Sequence, residues 1–358
     1  MSETGEEMAD DLGRPELVAE IRTRIESSGP LTFAEFMELA LYHPSYGYYA
    51  GRPDSRDYVT SPAVHAGFGE LLTRQLHSWW QELGAPTTFD VVEVGGGAGM
   101  LAREVLAAAA ARGDFARALR YHLVERQLPD ELPADVRGHC SLAEVGAGLV
   151  GCVLSNELLD AFPVHRITVE GGRLLELYVG WECGRFVEVV GEPSTGRLGE
   201  TLARVGARPA EGARTEVCLR ALDWLGEVAG VLGQGFVLTI DYGYEAAEYY
   251  APERRRGTLL CYHRHAVNEA PLVRVGRQDV TAHVEFTSLM RHGEDVGLET
   301  VELTTQRAFL VGLGIRDVAA RLGSGLGPAR RLEVELALAE LIRAGGLGDF
   351  RVLVQRKR

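Results

Sequence analysis

The chain has 358 residues, 46% hydrophobic and 25% charged, which is typical of a globular protein with room for one large domain and an insertion. Its net charge of −14 and its scattered basic residues argue against nucleic-acid binding, and no apolar run reaches the roughly 18 residues that a membrane-spanning helix needs. Five cysteines without a CxxC pair argue against a disulfide framework or a structural zinc site, so we expect a protein of the reducing cytoplasm.

The chain begins with an acidic, polar segment, residues 1–14, for which we predict disorder and which is unlike a secretory or transit signal. Apolar residues at positions 17, 18, 21 and 25 then predict a first helix. A second helix is predicted to start at the capping box of Thr32 and Glu35 and to run to about Tyr42.

A stretch rich in tyrosine, glycine and proline, 43–62, has no clean period and predicts an ordered loop. A helix over 67–83 follows, with its leucines on one side. Together with the first two helices these elements make up a predicted N-terminal region, 15–84.

Strands and helices alternate in the next part of the chain. The predicted strands are almost wholly apolar and cover 89–94, 121–125, 151–155 and 236–241. Apolar strands separated by helices, such as the one over 98–111, imply a parallel sheet covered on both faces. We therefore predict an α/β fold, a Rossmann-like doubly wound sheet, with its core in 85–163 and 233–358.

An insertion of different character, 164–232, interrupts this core. Short strand candidates split by glycine pairs predict antiparallel hairpins, and they cover 164–169, 174–179 and 185–190. A helix is predicted over 215–232. Further elements are predicted after the insertion: a strand over 258–262, helices over 284–295 and 328–344, and a final strand over 350–355.

A glycine loop follows the first core strand, where residues 91–100 read VVEVGGGAGM. Gly95, Gly97 and Gly99 allow a tight turn and close approach of the backbone to a ligand, but their spacing misses the GxGxxG dinucleotide fingerprint. The glycine spacing favours S-adenosylmethionine over NAD. Two acids favour it as well: Glu93 before the loop, and Glu125 after the next strand, where a carboxylate can accept hydrogen bonds from both ribose hydroxyls. The alternative is that the glycines only join a strand to a helix.

Polar side chains also follow the later core strands. Asn156 and Glu157 stand at the end of one, and Asp241 at the end of the next. Because ligands of open α/β sheets bind outside the carboxyl ends of the strands, we expect these residues to face the cofactor crevice. Glu157 and Asp160 would share one face of a helical turn and could grip a cation, or they could simply cap that helix.

Several ordered motifs accompany this loop: 43–49, 58–62, 68–70, 156–164, 240–243 and 279–286. On these motifs the chain, from about Pro30 to its C-terminus, resembles the mitochondrial complex I assembly methyltransferases and their bacterial relatives. That class I group methylates arginine guanidino nitrogens. That group usually has proline where Gly96 stands, and the glycine should make the loop of this chain more flexible. It also usually has phenylalanines where Leu158 and Leu159 stand.

The resemblance implies S-adenosylmethionine as cofactor, S-adenosylhomocysteine as product, and further site residues. The implied cofactor-covering residues are Tyr58, Thr60, Ser61 and Pro62. The implied substrate-side residues are Tyr46, Tyr49, Tyr242 and Glu285. The tyrosines of the early loop could form an aromatic wall over a cation, or pack within a lid.

Methylation of a guanidinium needs proton management, because the group is normally protonated. We expect Glu157 to take or relay the proton, with Asp160 and Asp241 in support. His283 could shuttle it near neutral pH, or could merely bond the backbone at a helix start. The spacing of His263, His265 and His283 matches no known metal site, and we expect no metal.

These expectations converge on an S-adenosylmethionine-dependent methyltransferase acting on a guanidino group, either protein arginine or free arginine and similar small guanidines. The alternatives are an O- or carboxyl-methyltransferase of a small metabolite, and a non-catalytic assembly protein that keeps the cofactor fold. The expected partners are the guanidino substrate and a second copy of the chain in a homodimer, without nucleic acid or membrane.

Overall fold

A computed structural model describes residues 12–51 and 61–358 of the chain. The predicted disorder of residues 1–14 therefore falls largely outside the described residues, and so do Tyr58 and Thr60. Among the described helices, none combines the length and the apolar character needed to cross a membrane.

The helices of the described residues are α1 (Pro15–Ser28), α2 (Phe33–Tyr42), α3 (Ser61–Val64), α4 (Gly67–Glu82), α5 (Met100–Ala109), α6 (Asp114–Ala118), α7 (Leu142–Val145), α8 (Arg197–Arg204), α9 (Leu219–Val231), α10 (Ala246–Tyr249), α11 (Phe286–Asp295), α12 (Gln306–Gly312), α13 (Ile315–Leu322) and α14 (Pro328–Leu341). Single 3₁₀ turns cover Tyr49–Gly51, Leu159–Ala161 and Leu347–Asp349.

The strands are β1 (Leu31–Thr32), β2 (Phe89–Val94), β3 (Leu119–Val124), β4 (Val136–His139), β5 (Leu149–Asn156), β6 (His165–Glu170), β7 (Arg173–Glu182), β8 (Arg185–Gly191), β9 (Arg214–Val217), β10 (Leu232–Asp241), β11 (Gly243–Tyr244), β12 (Leu260–His263), β13 (Ala266–Asn268), β14 (Asp279–Thr281), β15 (Val284–Glu285), β16 (Glu299–Thr305) and β17 (Arg351–Lys357).

The chain divides into two compact units. Unit 1 comprises Met1–Tyr58, Asp160–Leu222 and Tyr244–Ser288, and unit 2 comprises Val59–Leu159, Asp223–Gly243 and Leu289–Arg358. This division differs from the predicted ranges chiefly at two places, beside smaller shifts that put residues 160–163 in unit 1 and residues 223–232 in unit 2. Residues 244–288 group with the inserted strands rather than with the core, and the predicted N-terminal region is split, because α4 packs in the core of unit 2.

Unit 2 is built on a seven-stranded sheet with the order β16-β17-β10-β5-β2-β3-β4. Strands β4, β3, β2, β5 and β10 are parallel, and β17 lies antiparallel between β10 and β16. The sheet confirms the predicted Rossmann-like class. From β2 the chain moves outward to β3 and β4 and then returns to β5 on the other side of β2, so the point where strand order reverses lies between β2 and β5.

The apolar strand sequences explain this core. Four of the six β2 side chains are fully or almost fully buried hydrophobics, and two of them, Phe89 and Val91, belong to one core cluster with residues of α4, α5 and the C-terminal helices. A strand covered in this way must be apolar on both faces, which is the pattern that predicted it.

Unit 1 contains a five-stranded antiparallel sheet in the order β1-β7-β6-β9, with β8 paired to β7. The predicted hairpins are therefore confirmed, as is the capping box of Thr32 and Glu35 at the start of α2. The helix predicted over 215–232 is wrong at its start. Residues Arg214–Val217 form β9 because they pair with β6, a strand nearly 50 residues earlier in the chain, and the helix begins only at Leu219.

Candidate functional site

The glycine loop joins β2 to α5 at the point where strand order reverses in unit 2. Gly95, Gly97 and Gly99 have φ angles of 77°, 56° and 71°, in the left-handed region that favours glycine. The loop is tied to β3 by a hydrogen bond from the Gly95 N–H to the Val124 carbonyl (2.9 Å). A Cβ built at Gly97 would meet nothing within 4 Å, so the backbone there borders open space.

Gly96 has a packing reason of its own. A Cβ at this position would lie 2.5 Å from Leu123 Cδ1 and would overlap the carboxyl of Glu93. Real Cβ atoms do not approach heavy atoms that closely, so any larger residue must push the Glu93 or Leu123 side chain aside. The proline that the related family usually has at this position would therefore require the Glu93 or Leu123 side chain to move.

Glu93 supports the loop from below. Its side chain is 4% exposed and accepts a hydrogen bond from the Tyr121 hydroxyl (2.9 Å). Burial raises the pKa of Glu93 to about 7, and the nearby carboxyls of Glu125 and Glu104 add to this. Tyr121 and the loop enclose the carboxyl of Glu93, so this residue fixes the shape of the turn. The sequence had predicted a cofactor ligand at this position.

Glu125 lies on the open side of the same loop, directly after β3. Its Oε1 accepts a hydrogen bond from the Gly97 N–H (2.6 Å), and burial raises the pKa of its carboxyl. The structure also adds Glu104, on α5, which the sequence patterns did not indicate. Glu104 accepts from the Gly69 N–H (3.2 Å), and burial raises its pKa to about 7.

Asn156 ends β5, beside the loop strand β2, and Glu157 follows it. Glu157 has a φ of 52°, which is uncommon for a residue with a side chain and is often associated with functional sites. Its Oε1 accepts two hydrogen bonds, from the Ser61 N–H (3.0 Å) and from the Asn156 amide (2.9 Å). The carbonyl oxygen of the Asn156 side chain is buried and has no hydrogen-bond partner within the described part of the chain.

Asp241 ends β10 and has a different role from the one we predicted. It is fully buried, Oδ2 accepts from the N–H groups of Leu158 (3.2 Å) and Leu159 (2.9 Å), and Oδ1 accepts from the N–H of Tyr242 (2.9 Å). A carboxylate with no exposed surface that holds three backbone donors fixes the turn after Glu157. The expectation that Asp241 grips a substrate cation is therefore corrected.

Asp160 belongs to unit 1, where its side chain is 7% exposed. Its backbone carbonyl accepts from the Ala282 N–H (2.9 Å), so the motif of residues 279–286 lies beside it. Burial raises the pKa of the Tyr262 phenol, and the nearby charge of Asp160 adds to this.

His283 does not titrate near neutral pH. Burial, assisted by the charge of Arg254, lowers its pKa to about 4. Its N–H donates to the Thr258 hydroxyl (3.1 Å), and its ring packs edge-on against Tyr244 at 5.1 Å between centroids. The prediction that His283 shuttles a proton near neutrality is therefore wrong for this environment.

Glu285 was expected on the substrate side, but its carboxylate caps α11. It accepts from the N–H groups of Thr287 (2.7 Å) and Ser288 (3.0 Å) and from the Ser288 hydroxyl. An acid in this place satisfies donors at a helix start that have no partner within the helix. This structural use explains the residue without a substrate.

The aromatic residues predicted for the substrate side make packing contacts within their own units. In unit 1, the Tyr49 hydroxyl donates to Asp279 Oδ1 (3.0 Å) and its ring stacks on Tyr42 at 5.3 Å, while Tyr46 stacks on His43 at 5.2 Å. In unit 2, the Tyr242 ring lies 5.4 Å from that of Phe350.

Two further predictions concern α3 and metal binding. Ser61 and Pro62 form the first turn of α3, where a loop was expected; Ser61 is fully buried and Pro62 half-buried. Over residues 12–51 and 61–358, no three or more His, Cys, Asp or Glu side chains are grouped so that they could hold a metal ion.

A mostly parallel sheet with a glycine loop at the reversal of strand order, and with carboxylates after the two strands that flank the loop strand β2, has the features of a class I methyltransferase site. Comparison with known proteins agrees with this class. The model of a family of S-adenosyl-L-methionine-dependent methyltransferases matches residues 71–304, and the chain belongs to that family. S-adenosyl-L-methionine is its cofactor, as predicted.

Individual relatives are similar over most of their length. The mitochondrial protein arginine methyltransferase NDUFAF7 homolog of Drosophila melanogaster is 29% identical over 78% of this chain and 70% of its own, and human NDUFAF7 is 28% identical over 87% and 76%. A crystal structure from Burkholderia thailandensis with bound S-adenosyl-homocysteine is 31% identical, with a TM-score of 0.84 over 96% of this chain and 92% of its own. The cytoplasmic location expected for this chain stays a prediction.

Proposed function

We propose that the protein transfers a methyl group from S-adenosyl-L-methionine to a guanidino nitrogen, either of a protein arginine or of a small guanidine. The observation that carries the proposal is Glu157, a carboxylate held by two donors on a strained backbone where strand order reverses. The names of the relatives, which are protein arginine methyltransferases, support the same substrate class.

The residues around the glycine loop are suited to hold the cofactor. Gly97 borders open space, and the buried, unsatisfied oxygen of Asn156 is an acceptor suited to a ligand donor. Glu125 would bind the ribose hydroxyls, and the backbone of Gly95 and of Ser61 would border the cofactor. When bound, the cofactor supplies a methyl group on a positively charged sulfur.

Glu157 has the task of preparing the nucleophile. A guanidinium is protonated at neutral pH and has no lone pair to offer, so one proton must leave the attacking nitrogen. A carboxylate beside that nitrogen attracts the cation, orients it and takes the proton as the new bond to carbon forms.

Two features prepare Glu157 for this task. The hydrogen bonds from Ser61 and Asn156 fix one carboxylate oxygen, which limits the orientations of the group before substrate arrives. A left-handed backbone at a residue with a side chain costs about 1 to 3 kcal/mol, a strain that folded proteins retain mostly at functional sites. Asp160 belongs to unit 1, and the supporting role expected of it stays a prediction.

Mass spectrometry tests this directly. The protein is incubated with S-adenosyl-L-methionine and, in parallel, with free arginine, a small guanidino compound and an arginine-containing peptide. We expect one guanidine class to gain methyl groups, and the class that does so identifies the substrate. Transfer to none of them, under conditions in which the cofactor binds, would overturn the proposal.

The variant Glu157→Gln is the matched test of the proton step. It keeps the size and an acceptor for Ser61 but removes the charge, so turnover should fall by at least a hundredfold. Calorimetry with S-adenosylhomocysteine serves as the control and should show affinity within threefold of the wild type. Full turnover by the variant would exclude the proposed role of Glu157.

A further inference from the structure

We propose that Gln306 is a positioning residue that fixes Ser61 and, through it, the carboxylate of Glu157. The proposal rests on the function proposed for Glu157. Gln306 begins α12 in unit 2, is fully buried and lies 245 residues from Ser61 in the sequence. None of the motifs of the chain includes it.

Three polar groups of Gln306 form hydrogen bonds. Its side-chain amide donates to the Leu341 carbonyl (2.9 Å), its Oε1 accepts from the Ser61 hydroxyl (3.3 Å), and its backbone N–H donates to the Phe350 carbonyl (2.7 Å). The contact with Leu341 determines which way the amide points, because a carbonyl can only accept. Oε1 is therefore directed at Ser61, and the side chain is anchored at both ends.

Ser61 passes this constraint on to Glu157. It has no exposed surface, its hydroxyl is held by Gln306, and its backbone N–H donates to Glu157 Oε1 (3.0 Å). Fixing the hydroxyl fixes the first turn of α3 and so the direction of the N–H. A chain of hydrogen bonds thus runs from the Leu341 carbonyl, at the end of α14, to the Glu157 carboxylate, directly after β5.

A buried glutamine can also contribute to stability alone. Measuring kcat distinguishes that structural role from the positioning role. Gln306→Met keeps the volume but removes the acceptor for Ser61, and Ser61→Ala removes only the hydroxyl and keeps the N–H. We expect each change to lower kcat by tenfold or more, because Glu157 then samples unproductive orientations, while S-adenosylhomocysteine affinity stays within threefold.

The double variant and a control complete the experiment. Because both changes break the same bond, Ser61→Ala with Gln306→Met should be no slower than Gln306→Met alone. Gln355→Met is the matched control: Gln355 is 1% exposed in β17 and donates to the Leu289 carbonyl (3.4 Å). The Gln355 Oε1 is buried without a hydrogen-bond partner in the described part of the chain, so the change removes one unsatisfied acceptor together with one donor, and kcat should stay within twofold.

Two results would overturn the positioning role while Glu157→Gln remains inactive. One is a kcat within twofold of wild type for both single variants; the other is a double variant whose loss is the product of the single losses. Full turnover by Glu157→Gln would be a different result, because it would refute the proposed role of Glu157 and, with it, the positioning role of Gln306.

Discussion

Alanine at position 96 should destabilise unit 2 because of packing beneath the cofactor loop. Its Cβ would lie 2.5 Å from Leu123 Cδ1 and closer still to the Glu93 carboxyl, well inside contact distance. The Glu93 carboxyl is held by Tyr121 and buried, so it has little freedom to withdraw. Forcing an extra carbon into a packed site costs about 1 to 3 kcal/mol, which is the loss of unfolding free energy that we expect for Gly96→Ala.

Gly97→Ala is the control from the same loop. Its Cβ would meet nothing within 4 Å, so only the φ of 56° opposes it, at a cost of about 1 kcal/mol. The added methyl group projects into the open space beside the loop, so this variant should lose more than tenfold in affinity for S-adenosylhomocysteine. Urea unfolding and calorimetry measure the two quantities. A Gly96→Ala variant within about 0.5 kcal/mol of wild-type stability would refute the packing argument.

Three further predictions concern the acids and the histidine. The pKa of Glu104 is raised from 4.5 to about 7, so the folded protein binds the proton more tightly than the unfolded chain does. The free energy of unfolding should therefore fall as pH rises from 4.5 to about 7. Urea titrations should show a smaller fall for Glu104→Gln. The pKa of His283 is lowered from 6.5 to about 4, so its effect on stability has the opposite sign. Its contribution to the free energy of unfolding grows as pH rises from about 4 to 6.5, and His283→Gln should abolish that contribution. The pH profile of kcat should show no limb from this group between about pH 6 and 8. Asp241→Asn replaces one of two acceptor oxygens with a donor facing backbone N–H groups, so we expect denaturation to show a loss of about 2 kcal/mol or more; an unchanged midpoint would contradict the role given to Asp241.

The sequence was sufficient to predict the sheet and the cofactor loop, because their signals are local. A strand buried on both faces must be apolar along its length, and a turn with several left-handed residues needs glycine, as at Gly95, Gly97 and Gly99. The order of strands then places whatever follows β2, β3 and β5 at one edge of the sheet. Asn156 and Glu157 could therefore be singled out from their positions alone.

The partners of the acids could not be predicted, because a residue type does not show which donors surround it. Asp241 and Glu285 stand in motifs shared with the related family, yet their oxygens bind backbone N–H groups nearby. Gln306 follows no local pattern and meets Ser61 only through the fold. Strand β9 was mistaken for helix because its pairing with β6 is a tertiary contact.

The most direct test of the proposed function is the position of the transferred methyl group. The protein is supplied with S-adenosyl-L-methionine carrying a deuterated methyl group and with the guanidine substrate found by mass spectrometry, and the product is fragmented to locate the label. We predict that the label lies on a guanidino nitrogen and that Glu157→Gln gives no labelled product although it binds S-adenosylhomocysteine. Label on an oxygen or carboxylate, or undiminished labelling by the variant, would contradict the account.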